Sequence, residues 1–220
     1  MLVLMLSVLL TQAGEPAAAS LGLMLPVGQV SPEDVELKTG TTVLALCGKE
    51  LKEVPLTVKE FPSSTDEYGI FSPATKDLSV PCAADLLFYK VPQLKPGAVQ
   101  PVFEVKREDP SRGTLDLQGT PLSFSVGGKD YQVVQKTRTP GDFRVFLVDG
   151  KQQHLLYELR PEEGREGSAT LLWAGDMNQD GRPDVVLMAG GESRQISLFM
   201  SGKGSKGPRK VATYEYSGLD

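Results

Sequence analysis

The sequence holds one histidine, one tryptophan and two cysteines in 220 residues. That inventory excludes a zinc centre of His/Cys type, which takes up to four nitrogen or sulfur ligands. Neither a Walker loop nor a G-x-S-x-G elbow occurs, so phosphate cradling and the serine-hydrolase turn lack their signatures. Basic residues are not in excess: 23 Lys and Arg face 28 Asp and Glu, a formal charge of −5. A chain of this balance does not bind nucleic acid by phosphate neutralisation. No apolar run approaches the roughly 20 residues that span a bilayer as a helix, and no window of a dozen residues carries a helical stripe. Internal repeats are also missing.

What is present is a pattern of short strands. Hydrophobic residues make up 40% and charged residues 23% of the chain, enough to bury a core without a metal or partner. Glycine (23) and proline (16) are plentiful while aromatics reach only 7%, a mix that suits many strands and turns. Apolar residues recur at period two in the segments 42–47, 54–61, 86–91, 99–105, 121–126, 131–136, 143–148, 154–159, 169–174, 184–188, 195–200 and 211–216. Gly127-Gly128 and Asp149-Gly150 read as hairpin turns because these residues tolerate positive φ. The pattern predicts an all-β fold of mainly antiparallel sheets, a sandwich or meander. The polar stretch 106–113 (KREDPSRG) marks a boundary between two small β-domains, 21–110 and 111–220, unless one continuous sandwich spans it.

Residues 2–10 (LVLMLSVLL) form an apolar run followed by a small and polar stretch, the order of a secretory signal peptide over 1–20. Cleavage after Ala13 or within residues 17–19 meets the small-residue requirement. The alternative is a short N-terminal strand or helix. Export places the chain in the periplasm or outside the cell, where Cys47 and Cys82 would form a disulfide. Two buried free thiols are the other reading.

One motif carries chemistry. Asp176, Asn178, Asp180, Gly181 and Asp184 fall in the string D-x-N-x-D-G-x-x-D. Alternate side chains of a tight loop converge on one point, and hard oxygen donors there suit Ca²⁺. Gly181 permits the turn, the carbonyl of Arg182 faces inward, and Asp184 completes the shell directly or through water. An EF-hand is excluded, since position twelve is Leu187 rather than glutamate and both flanks read as strands. A loop free of metal is the alternative, though three carboxylates within nine residues repel one another unless a cation offsets them.

The run from Gly175-Asp176 through Asp184 to Val185-Val186-Leu187 resembles the calcium-binding hairpin loops of FG-GAP and VCBS repeats, found in integrin α-subunit propellers and in many secreted bacterial proteins. The resemblance implies Asp176, Asn178, Asp180, Asp184 and the backbone oxygen of Arg182 as calcium ligands. It covers about 20 residues and the loop occurs once, so it does not imply a complete propeller. The chain around it, through 198–201 and 210–212, also resembles uncharacterised secreted bacterial proteins with a single such loop.

Other features read more blandly. Residues 202–207 satisfy G-x-G-x-x-G, but Pro208 and a following strand pattern deny the helix that a dinucleotide site needs. Lys203, Lys206, Arg209 and Lys210 then lie in a solvated basic loop or meet an anionic surface. His154 sits on a hairpin strand rather than in a catalytic set. Trp173 is either core packing or a sugar-stacking platform.

Two functions follow from different classes. The first is an exported, non-enzymatic, calcium-stabilised module that binds protein or glycan at the cell envelope. The second is a polysaccharide hydrolase or lyase using Ca²⁺ or carboxylates near Asp184 and Glu192.

Overall fold

The computed structural model describes residues 21–26, 28–30, 36–104, 114–115, 119–139, 142–160, 167–191, 193–202 and 205–217. The signal-like segment, the 106–113 boundary, Glu192 and Lys203 lie outside them.

The chain is all-β and mainly antiparallel. Its strands are β1 (Gly22–Pro26), β2 (Gly28–Val30), β3 (Thr42–Cys47), β4 (Glu50–Pro55), β5 (Thr57–Phe61), β6 (Ser64–Thr65), β7 (Phe71–Ser72), β8 (Thr75–Ser79), β9 (Ala84–Tyr89) and β10 (Gly97–Ala98). They continue with β11 (Gln100–Glu104), β12 (Leu122–Val126), β13 (Lys129–Thr139), β14 (Asp142–Asp149), β15 (Gln152–Leu159), β16 (Ser168–Asp176), β17 (Asp184–Gly190), β18 (Ser193–Met200) and β19 (Arg209–Ser217).

Ten of these form one sheet in the order β10-β4-β3-β9-β1-β19-β18-β17-β16-β11. Every ladder in it is antiparallel except β1 against β19, where Gly22 faces Ala212 and Leu23 faces Thr213. That parallel pair joins strands from both sides of the 106–113 stretch into a single sheet. The two edge strands, β10 and β11, are consecutive in the chain and separated by Val99 alone, so the sheet curls until its ends meet at one seam. No ladder closes it into a barrel.

The curl explains the composition of the strands. Leu46, Leu51 and Phe88 from one half of the sheet share a core with Trp173, Val186 and Leu198 from the other. The outer face of the first half, with Ala45 and Leu87, packs under a three-stranded sheet of β2, β8 and β5. The outer face of the second half packs against the meander β12-β13-β14-β15. On β17, Val185 and Leu187 face the meander while Val186 faces the central core. Buried on both sides, the strand reads as a continuous apolar run rather than an alternation.

The meander's turns match the sequence expectation: Gly127 and Gly128 have φ of 58° and 75°, and Gly150 has 56°. Cys47 and Cys82 form a disulfide with Cα atoms 5.9 Å apart. It ties the end of β3 to the entry of β9, where Cys47 already pairs with Ala84. Among the described residues no helix is long and apolar enough to cross a membrane.

Two stability outcomes follow. Leu187→Ala, at a position 1% exposed, should cost about 2–5 kcal/mol in urea unfolding, whereas Leu155→Ala, 49% exposed, should stay within about 0.5 kcal/mol. Replacing Cys47 and Cys82 together by serine should lower stability by about 3–4 kcal/mol, since the bridge closes a loop of 35 residues.

Candidate functional site

The loop 176–184 closes the β16–β17 hairpin at one end of the curled sheet. Both strands it joins are buried on two faces, so its backbone N–H groups must find partners close at hand. The acidic side chains supply them. Asp176 Oδ1 accepts from the Asp180 N–H at 2.9 Å and its Oδ2 from the Gly181 N–H at 2.8 Å. Asn178 Oδ1 accepts from Asp180 N–H at 3.1 Å, and Asp180 Oδ1 from Arg182 N–H at 3.0 Å. Gly181, at φ +78°, and Gln179, at φ +61°, turn the chain. Met177 points inward and is fully buried in the central core.

Asp184 is the strut of the loop and is 0% exposed. Its Oδ2 accepts from the N–H groups of Met177 at 2.8 Å and Asn178 at 3.3 Å, and its Oδ1 from Ser201 N–H at 3.2 Å. One carboxylate thus holds the loop's start and the end of β18 together. Burial pushes its pKa up to about 8, the three N–H donors pull it down, and the Asp180 charge adds to the rise.

Three further contacts dock the loop. The Gln179 side-chain amide donates to the Ala98 carbonyl at the β10–β11 seam. Arg182 Nη1 donates to the Gly202 carbonyl at 2.7 Å, beside the β18–β19 connection. The Gly181 carbonyl lies so close to Gly127 in the β12–β13 turn that a Cβ at residue 127 would overlap it. The motif showed the acidic residues; it gave no sign of the partners Ala98, Ser201 and Gly127, which come from segments distant in sequence.

The donor set suits a hard cation. Asp176, Asn178, Asp180, Asp184 and the Arg182 carbonyl all offer oxygen. The side chains are turned onto backbone N–H groups, and among the described residues no group of three or more His, Cys, Asp or Glu stands close enough together to hold a metal. Lone pairs remain for a cation: Asp176 accepts two N–H groups and Asp180 one, against about four acceptor positions on a carboxylate. Asp184 accepts three, which fits contact through water.

Trp173 is 1% exposed and packs in the central core, so its ring offers no sugar platform. Residues 205–208 lead into β19 and not into a helix. His154 lies half-buried on β15, with Gly207 packed against its imidazole.

In calcium-free buffer the raised Asp184 pKa has a definite sign. The folded protein holds its proton up to about pH 8 while the unfolded chain releases it near pH 4, so stability should fall as pH rises between these values. Urea unfolding in EDTA should show that fall, and Asp184→Asn should remove it; a flat profile in the parent protein would contradict the assignment. Comparison of the chain with protein-family models, curated proteins and solved structures found no match.

Proposed function

We propose that the protein is an exported, non-enzymatic β-module whose 176–184 loop binds one structural Ca²⁺ and whose surface binds a partner at the cell envelope or outside the cell. The observation that carries this reading is the set of five oxygen donors on a loop to which the seam, the meander turn and the β18–β19 connection are all docked. A cation offsetting the Asp176, Asp180 and Asp184 charges there would stabilise three layers at once. The disulfide supports an oxidising compartment. The Trp173 ring and the Asp184 carboxylate, both buried, cannot touch a polysaccharide, which favours binding over hydrolysis or elimination at these residues.

Thermal unfolding of the mature protein in EDTA and across a Ca²⁺ series, with Mg²⁺ as control, tests the metal. At a calcium concentration about 100-fold above Kd the melting temperature should rise by about 5–10 °C. Mg²⁺ should give a much smaller rise. Asp180→Ala should melt close to the parent in EDTA and lose the calcium-dependent rise; equal loss with and without Ca²⁺ would count against the site.

A further inference from the structure

A cavity of about 280 Å³ opens beside the loop, between the meander, residues 180–183 and the β18–β19 connection. Its size is near the lower end of small-ligand sites, about 300–1,000 Å³, and fits one sugar-sized group. Three cationic side chains line it: Lys129 from the start of β13, Arg182 from the loop, and Lys206 from the connection. Arg182 is held in place by its bond to the Gly202 carbonyl, and no carboxylate among the described residues forms an ion pair with it. Acceptors line the same space: Asp149 at the end of β14, Asp180, and the half-buried His154.

The Tyr131 phenol marks where the two sets meet. Its ring stacks on Phe124 at 6.0 Å, and the residue is buried while lining the cavity. Burial and the Asp149 charge push its pKa up while Arg182 pulls it down, and all three residues line the same cavity. Two aromatic rings line the cavity, but Tyr131 already stacks on Phe124 and the His154 imidazole packs against Gly207, which disfavours a stacked nucleotide base.

We propose that this cavity binds an acidic saccharide unit, its anionic group on Arg182, Lys129 and Lys206 and its hydroxyls on Asp149, His154 and Gln152. Cations alone would suit inorganic phosphate, but a phosphate has no hydroxyl groups on a carbon frame to reach Asp149, whereas sugar hydroxyls donate to that carboxylate and accept from the cationic side chains. The inference deepens the calcium-dependent binding reading and rests on it in one respect: with Asp180 committed to Ca²⁺, the cavity is left with three cations against Asp149.

The test is titration calorimetry of the full mature chain with D-glucuronate and D-galacturonate, with D-glucose and inorganic phosphate as controls, each in Ca²⁺ and in EDTA. At least one uronate should bind saturably with a Kd of about 1 mM or tighter, at least tenfold tighter than glucose or phosphate. Lys129→Gln and Arg182→Gln should each weaken it tenfold or more, and Lys52→Gln on β4 should leave it unchanged. Lys129 is exposed, so its variant keeps the test valid even if the Arg182 variant unfolds. Absence of uronate binding, equal affinity for glucose or phosphate, or no effect of Lys129→Gln would overturn the proposal. Uronate binding without a calcium-dependent melting shift would keep the cavity and remove the metal; a melting shift without uronate binding would remove the cavity alone.

Discussion

The β16–β17 hairpin is buried on both faces, so the buried backbone groups at the base of its turn must find acceptors within the protein. The ten-stranded sheet holds that hairpin next to its β11 edge. Its halves face one another across Trp173, Val186 and Phe88, and the smaller sheets cover the outside. At the β16–β17 turn the constraint is met by carboxylates: Asp176 and Asp184 are both buried and both accept backbone N–H groups. Acidic residues that would be costly in an apolar core are there because the peptide groups around them need acceptors.

The proposed cation would act on this same arrangement. A buried carboxylate near a second negative charge holds its proton, and the raised pKa of Asp184 expresses that cost. A divalent ion would reverse the local electrostatics and favour the ionised form. Because Gln179, Gly181 and Arg182 touch the seam, the meander and the β18–β19 connection, stiffening the loop stiffens the junction of three layers. The cavity lined by Arg182 and Asp180 shares that junction.

Much of the fold was legible from residue patterns. The segment 42–47 coincides with β3, and the glycine turns of the meander fall where positive φ was required. The sequence pattern merged β4 and β5 into 54–61 and passed over β1, β2 and β8. β1 is short and buried on both faces, so its Leu23-Met24-Leu25 run shows no alternation. A second obstacle is the register shift between Leu171 and Trp173 on β16. Leu171 faces the meander and Trp173 the central core, although residues two apart on a regular strand share a face. Period-two reading cannot see such a bulge. The candidate loop was legible because its ligand-type residues are local, while its docking partners Ala98, Gly127 and Ser201 are set by tertiary structure.

Through these contacts the 176–184 loop should behave as part of the rigid core and not as a polar tip that opens freely. Native-state hydrogen exchange measures this at the amides themselves. The N–H groups of Met177, Asp180, Gly181 and Ser201, each bonded to Asp176 or Asp184, should exchange only through the global opening that frees β17, and more slowly still in Ca²⁺. Fast exchange at these four positions while Val186 and Leu187 stay protected, unchanged by Ca²⁺, would contradict the account.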